Sequence, residues 1–146
     1  MAHEDTDPAS DGGSASLREV ALQATTAWGL RPKSISLIKQ RENAVYKLQT
    51  EDDELFALRV HRAGYHTDAA LSSEFAWMKA LQEVGIKAPT FLLSLSNDVV
   101  VTTSHANLDA PRQVDILHWI DGEQLGSVEE GLGNSSEEIS KIYSVI

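Results

Sequence analysis

The chain has 146 residues, of which 42% are hydrophobic and 23% are charged, and it contains no cysteine. These proportions exclude disorder throughout, and the lack of cysteine excludes disulfides, thiolate metal sites and cysteine nucleophiles. The formal net charge is −10, with both ends acidic and the middle of the chain nearly neutral. This distribution is unlike the basic surface of a protein that binds nucleic acid or an anionic membrane, so we expect neither partner.

The first 14 residues are polar, contain four acids and lack Lys and Arg. We interpret residues 1–14 as a disordered acidic tail. These residues have neither the basic start nor the apolar core of a secretory signal, and no apolar run in the chain is long enough for a transmembrane helix. Together with the lack of cysteine, this favours a cytoplasmic location.

A first helix follows the tail. Apolar residues recur every three or four positions from Leu17 to Trp28, which is the periodicity of a helix with one buried face. Ser14 or Ser16 can cap its start and Gly29 can end it. The pattern predicts a helix over about 16–28.

Three strands joined by polar turns are predicted next. Residues 35–38, 44–50 and 55–61 are apolar or alternating, and the segments KQREN and EDDE between them have the polarity of turns. Consecutive strands with short connections form an antiparallel meander. This predicts the start of an antiparallel sheet.

The second half of the chain predicts one clear helix and further strands. The helix covers 67–84, with Thr67 or Asp68 as its cap and Gly85 at its end. Strands are predicted at 91–95, 99–104 and 112–120, and a weaker helix at 135–146. The predicted fold class is α+β: a five- or six-stranded antiparallel sheet with one packed helix, preceded by the N-terminal helix.

An acidic residue lies on the apolar side of the predicted helix 67–84. Glu74 falls within the stripe formed by Leu71, Trp77, Met78 and Leu81, and a buried carboxylate needs a partner. On strand 55–61, Arg59 has apolar neighbours and needs a partner as well. We predict an Arg59–Glu74 pair, unless Glu74 reaches out to the rim. The pair could merely fix helix to sheet, or it could present a fork able to bind two phosphate oxygens.

The order of these features resembles the small lobe of the protein-kinase fold. Four ordered segments together resemble the aminoglycoside phosphotransferase superfamily, and most of all its homoserine-kinase-like and stress-response-kinase-like members: ENAVYKL (42–48), FALRVHRAGYHT (56–67), SSEFAWMKAL (72–81) and ILHWIDGE (116–123). The resemblance runs over about 16–125. It implies a kinase-like small lobe over 15–122, followed at 123–146 by a linker and the start of a missing large lobe.

The resemblance implies roles for four residues in an ATP site. Arg59 takes the place of the third-strand lysine that holds the α- and β-phosphates, and Glu74 that of the helix glutamate that orients it. Ala57 occupies the small-residue position beneath adenine. Asn43 lies in the hairpin that covers the phosphates, where this chain has no glycine between residues 30 and 63; Asn tolerates the left-handed conformation and can stand in.

The last quoted segment resembles the strand that leads to the hinge. The resemblance makes Leu117 the gatekeeper, and it directs the His118 carbonyl and the Ile120 amide to the adenine edge, with Trp119 between them. Without the other three segments, Trp119 and Ile120 would be interpreted as ordinary core or turn packing.

The catalytic motifs of this fold are not found in the chain. The family's H-x-D-x-x-x-x-N loop has only a three-letter match at 66–68, at the start of a predicted helix and without the Asn. We therefore expect no catalytic residue here, and we expect ATP with Mg²⁺ as cofactor, the metal ligands lying in the missing lobe. The chain by itself is expected to be inactive.

Two functions from different classes remain open at this stage. The first is the ATP-binding small lobe of a phosphotransferase, whose partners are a nucleotide and, through the missing lobe, a small-molecule hydroxyl acceptor. The second is a non-catalytic interaction or dimerisation module that keeps the fold. It would use the exposed inter-lobe face around Leu117, Trp119 and Ile120 for self-association.

Overall fold

The computed structural model describes residues 8–122, with side chains from residue 13, and the backbone of 126–127 and 131–132. The elements in chain order are α1 (Pro8–Ala24), a 3-10 helix (Thr25–Trp28), β1 (Pro32–Gln40), β2 (Asn43–Thr50), β3 (Leu55–His61), α2 (Asp68–Glu83), β4 (Val101–Thr103), β5 (Arg112–His118), β6 (Gly126–Ser127) and β7 (Gly131–Leu132). Residues 1–7 and the predicted helix 135–146 lie outside the described part. No described helix has the length and hydropathy needed to cross a membrane.

The N-terminal helix starts earlier than the sequence pattern predicts. It begins at Pro8, whose fixed φ and missing N–H suit the first turn of a helix. Residues 8–14, predicted as part of a disordered tail, therefore belong to α1. The helix continues as the 3-10 turn and ends at Gly29, whose φ of +66° allows its N–H to bond back to Thr25 and Thr26.

The main sheet has five antiparallel strands in the order β1-β2-β3-β5-β4. This agrees with the predicted α+β class and with the lower of the two predicted strand counts. Side chains of β2, β3 and β5 alternate between two faces. One face packs on α1 and forms the core, which includes Tyr46, Leu48, Leu58, Ile116 and Trp28.

The second face of the sheet carries several of the predicted site residues, including Arg59 and Ala57. We call it the open face and define it by its residues on β2, β3 and β5: Asn43, Val45, Lys47, Ala57, Arg59, Asp115 and Leu117. Helix α2 contacts this face through side-chain bonds to β3 and β5. Its start is capped by Thr67, whose Oγ1 accepts a hydrogen bond from the Ala70 N–H at 3.1 Å.

The predicted strand 91–95 is not a strand. Only Phe91 bridges to Leu117, and the residues after it fold into a turn in which Ser94 Oγ accepts the Asp98 N–H at 3.0 Å. The segment is also bonded to the end of the first helix, because Trp28 Nε1 donates to the Leu92 carbonyl at 2.8 Å. These bonds satisfy backbone groups that a strand ladder would otherwise use.

The apolar stripe predicted for α2 is only partly buried. Leu71 is buried, whereas the side chain of Trp77 is 68% exposed. The described residues give α2 little to pack on beyond the end of the sheet near Phe91, where Phe75 lies edge to face with it. Helical periodicity identifies the face but not how far the neighbouring structure covers it.

Candidate functional site

The predicted contact between Arg59 and Glu74 is present. Arg59 Nη1 donates to Glu74 Oε1 at 3.0 Å, and Nη2 donates to Oε2 at 3.3 Å. Both side chains are largely shielded, at 18% and 32% exposure. The pair connects the middle of β3 to α2 in the two-bond geometry that arginine forms with carboxylates.

A second carboxylate, which the sequence interpretation missed, holds Arg59 more closely. Asp115 on β5 faces Arg59 directly across the β3–β5 pair. Arg59 Nε donates to Asp115 Oδ1 at 2.7 Å and Nη2 donates to Oδ2 at 2.8 Å. The side chain of Asp115 is fully buried. The signal in the sequence was an acid within the apolar strand 112–120, which needs a buried cation as partner.

The charge of Arg59 is stabilised by these two acids. Burial alone lowers the pKa of the Arg59 guanidinium, but the hydrogen bonds and charge of Asp115, and then those of Glu74, outweigh burial and raise the pKa above its ordinary value. The guanidinium also lies over the ring of Phe91, with Cζ 5.4 Å from the ring centroid. Arg59 is therefore charged at any physiological pH and fixed on several sides.

The fork of Arg59 is occupied by protein. A guanidinium has five N–H donors, and the two carboxylates receive four hydrogen bonds from them. The sequence leaves open whether this fork fixes helix to sheet or binds phosphate oxygens; in the structure it binds the carboxylate oxygens of Glu74 and Asp115. One N–H, on Nη1, remains for another acceptor.

His61, the last residue of β3, joins the cluster formed by Arg59, Glu74 and Asp115. Its Nε2 lies 2.7 Å from Asp115 Oδ2, and its side chain is 1% exposed. With His61 neutral, the one guanidinium and two carboxylates of Arg59, Glu74 and Asp115 carry a net formal charge of −1. An anion approaching the cluster therefore meets no excess of positive charge. His61 lies two residues after Arg59 on β3, so strand alternation places both side chains on one face.

The residues proposed to contact adenine lie at the other end of the open face. Ala57 is paired with Leu117 on β5 and with Lys47 on β2. Ala57 is partly exposed, whereas Leu117 is buried. The Lys47 ammonium lies over the ring of Trp119, 4.6 Å from its centroid, and the backbone N–H of Trp119 donates to the Leu55 carbonyl. Ala57 has no side chain beyond Cβ, and its neighbours on the adjoining strands are the larger residues Lys47 and Leu117.

The residues predicted at the hinge, at and after the end of β5, differ in their exposure and in their contacts. The His118 ring packs near Phe56, 5.3 Å between centroids, so it points away from the open face. Its backbone N–H donates to the Thr90 carbonyl at 2.8 Å. Ile120 is 57% exposed. Of the face predicted around Leu117, Trp119 and Ile120, Ile120 is thus the exposed member, because Leu117 is covered by Phe91.

Asn43 adopts ordinary extended backbone. It is the first residue of β2, paired with His61, and it is not among the described non-glycine residues with positive φ, which are Asp53 and Asn97. Its side-chain Oδ1 is buried without a hydrogen-bond partner. Asn43 therefore does not adopt the left-handed conformation that would let it replace a glycine, because the pairing of β2 with β3 extends to the turn.

The described residues contain no group of three His, Asp or Glu side chains that could hold a metal ion. The two carboxylates of the cluster, Glu74 and Asp115, are both paired with Arg59. The open face thus has a fixed cation with one remaining N–H at one end and the small side chain of Ala57 beside Leu117 at the other.

Comparison with known proteins identifies what this arrangement is similar to. A family described as the phosphotransferase enzyme family matches residues 34–142. A microcompartment-associated aminopropanol kinase is 30% identical over 73% of this chain, with a TM-score of 0.65. An amicoumacin kinase in complex with AMP-PNP, Ca²⁺ and Ami has the same fold, with a TM-score of 0.64 at 16% identity over 77% of this chain. In each case the match spans 33% of the solved chain. No curated protein matches the sequence.

Proposed function

This chain belongs to the phosphotransferase enzyme family, and on that basis we propose that it is the nucleotide-binding small lobe of an ATP-dependent phosphotransferase. The acceptor would be a hydroxyl group of a small molecule. The matched kinase structures are about three times as long as the matched region, so we propose that the acceptor site and the reacting groups lie outside the residues described here.

The observation that carries this proposal is the Arg59–Glu74 pair, at 3.0 and 3.3 Å, between the third strand and the following helix. It sets a fixed cation at one end of the open face, which is where we propose the phosphates lie. Because Asp115 takes two further donors, Arg59 would give a phosphate a single hydrogen bond. We propose that its main task is to hold α2 and the sheet in register.

The shelf around Ala57 is the proposed adenine site. Ala57 has no side chain beyond Cβ, and Leu117 and Trp119 border it with apolar and aromatic surface suited to a planar base. The His118 carbonyl and the Ile120 amide are the proposed hydrogen-bonding groups. Nucleotide pockets combine an apolar lining with a few polar groups in this manner.

The metal of the proposed reaction would bind elsewhere. Since the described residues hold no metal-ligating group, Mg²⁺ would arrive with the nucleotide and take its protein ligands from outside them. When bound, it would neutralise charge on the phosphates. This chain's residues would then bind and orient the nucleotide, and we expect no phosphoryl transfer by the 146 residues alone.

A titration of the chain with ATP, with and without Mg²⁺, tests the proposal by calorimetry. We expect weak, saturable binding, and we expect Ala57→Leu to abolish it because the added carbons fill the proposed adenine shelf. Ala80→Leu is the matched control, since Ala80 is an exposed residue of α2. Unfolding curves of both variants report whether the fold is kept.

Two results would contradict the proposal. One is the absence of any saturable ATP signal at millimolar concentration, and the other is equal binding by the parent and a folded Ala57→Leu variant. ATP hydrolysis by the purified chain above a no-enzyme control would contradict only the statement that the reacting groups lie elsewhere.

The alternative function, an interaction module, is favoured by a different observation. Four large apolar side chains near the end of α2 and after β5 are more than half exposed: Trp77, Val84, Ile86 and Ile120. Ile86 and Ile120 line the same shallow pocket. We propose self-association through this surface as the alternative, to be tested by light scattering over a concentration series with Trp77→Gln and Ile86→Gln. A monomer at all concentrations would remove it.

A further inference from the structure

A cavity of about 230 Å³ lies at the end of the sheet formed by the β1–β2 turn, on the side of the sheet that packs on α1. It borders the Arg59 cluster through His61, which is bonded to Asp115. Its apolar part is formed by Leu17 of α1 and by residues of the core face. Its polar part comes from the β1–β2 turn, the end of β3 and the start of β5: Gln40, Arg41, Glu42, His61, Arg62 and Arg112.

The charge of this cavity is opposite to that of the protein. The chain has a net charge of −10 and six arginines, and three of those arginines line this one cavity. Among the described residues that line the cavity, three arginines stand against the single acid Glu42, a formal charge of +2 when only Arg, Lys, Asp and Glu are counted. Like charges gathered in a concave surface favour a counter-ion.

Two buried polar atoms in the lining residues have no hydrogen-bond partner. They are Arg112 Nε and His61 Nδ1. The Arg112 side chain is only 16% exposed, and its ion pair with Asp109 is long, at 3.5 Å, with the Asp109 side chain 89% exposed. Buried polar atoms left without partners are expected to have an ordered water or an ion nearby. Burial of Arg112 is therefore poorly compensated by the protein itself.

The size of the cavity limits what can occupy it. A water molecule takes about 30 Å³ of liquid volume, and pockets for drug-sized ligands start at about 300 Å³. The volume of about 230 Å³ suits a group of a few heavy atoms and not a nucleotide. Guanidinium forks match the oxygens of phosphate, and a phosphate monoester carries −1.5 to −2 charges at neutral pH, roughly the charge that the lining would balance.

We propose that this arginine-lined cavity binds a phosphate group, with Arg62 and Arg112 as its principal ligands. The site is distinct from the proposed nucleotide site, because Leu17, Ala44 and Val60 place it on the core face of the sheet, whereas Ala57 and Arg59 lie on the open face. The phosphate can be free inorganic phosphate or the phosphoryl group of a small phosphomonoester. Both present the same oxygens to the arginines.

Calorimetric titration of the 146-residue chain with inorganic phosphate tests the site, with sodium chloride at matched ionic strength as the blank. We expect saturable binding that is weakened at least fivefold by Arg62→Gln and by Arg112→Gln and is absent in the double variant. Arg31→Gln is the control, because Arg31 is an exposed arginine paired with Glu51, away from the cavity. Arg62 is exposed, so Arg62→Gln keeps the test valid even if Arg112→Gln unfolds.

A parallel titration with phosphoethanolamine separates the two sources of phosphate. Tighter binding than inorganic phosphate identifies a phosphomonoester as the ligand, and equal or weaker binding identifies free phosphate. The proposal is overturned if phosphate gives no more heat than chloride, or if folded Arg62→Gln binds phosphate as the parent does. It is also overturned if saturating phosphate competes with ATP in the calorimetric titration, since that would place the anion in the nucleotide site.

Discussion

Arg59 and Asp115 are direct cross-strand neighbours, and the guanidinium donates two hydrogen bonds to the carboxylate, at 2.7 and 2.8 Å. The opposite strand of the sheet, and not only the helix, thus determines where the Arg59 side chain points. Glu74 then completes a clamp in which a single cation holds two acids. The cluster joins β3, β5 and α2 at one point.

Replacing Asp115 by Asn should destabilise the fold. The amide keeps the shape but loses the charge that offsets burial of Arg59, and breaking a buried ion pair costs about 3 kcal/mol. We expect a loss of about that size in the free energy of unfolding, measured by urea denaturation. Asp109→Asn, at an exposed residue of a 3.5 Å ion pair, should change it by less than about 0.5 kcal/mol. Equal effects of the two substitutions would contradict the buried role of Asp115.

Replacing Glu74 by Gln should strengthen nucleotide binding, if the phosphates lie where we propose. Asp115 already orients the guanidinium with two hydrogen bonds, so Glu74 chiefly contributes a negative charge near the phosphates. Removing one charge several ångströms away in a partly hydrated site is worth about 0.5–1 kcal/mol, or about a threefold lower Kd. Calorimetry with Mg-ATP measures this change. A tenfold weaker Kd would show instead that Glu74 orients Arg59.

Replacing Tyr46 by Phe should stabilise the protein. The Tyr46 hydroxyl is buried without a hydrogen-bond partner, and removing such a group is expected to gain about 1 kcal/mol in the free energy of unfolding. Urea denaturation at pH 7 checks this value. Tyr65→Phe is the control, because Tyr65 is 53% exposed, and it should have no measurable effect. A less stable Tyr46→Phe protein would mean that the hydroxyl has a partner.

Tyr46 should also make the stability of the parent protein more sensitive to alkaline pH than that of Tyr46→Phe. Burial raises the pKa of Tyr46 above its ordinary value of 10.0, although the charge of Arg18 opposes this slightly. A group whose pKa is raised on folding contributes stability below its unfolded pKa and loses that contribution as the pH rises through the folded value. The parent should therefore lose stability above about pH 10 more steeply than Tyr46→Phe. Thermal unfolding measured from pH 8 to pH 11.5 gives the comparison, and parallel curves would be inconsistent with the raised pKa.

Replacing Thr67 by Ala should loosen the start of α2. The Thr67 hydroxyl accepts the Ala70 N–H at 3.1 Å, and loss of an N-cap of this kind costs about 1 kcal/mol. Thr67→Asp, which preserves a capping oxygen, should retain most of the stability. Hydrogen exchange of the α2 amides locates the effect, and faster exchange in Thr67→Ala confined to other elements would argue against it.

The sequence predicted much of the element pattern because each element has its own local signal. Residues 55–61 alternate over the whole of β3, and α2 at Asp68–Glu83 is bounded by a capping threonine and a glycine. The Arg59–Glu74 contact followed from the same local reasoning, since two charged side chains in apolar settings on neighbouring elements satisfy each other. The prediction failed at 91–95, where hydrogen bonds to the distant end of the first helix hold the chain in another conformation.

The sequence by itself determined most of the strands and helices and the need of Arg59 and Glu74 for a partner, because periodicity, caps and buried charge are properties of short stretches of chain. Only the tertiary structure decided that Asp115 lies opposite Arg59, that the arginine fork is filled by carboxylates, and that Arg41, Arg62 and Arg112 meet at one cavity. Strand register and the meeting of distant segments are set by packing across the whole sheet, and no local pattern contains that information.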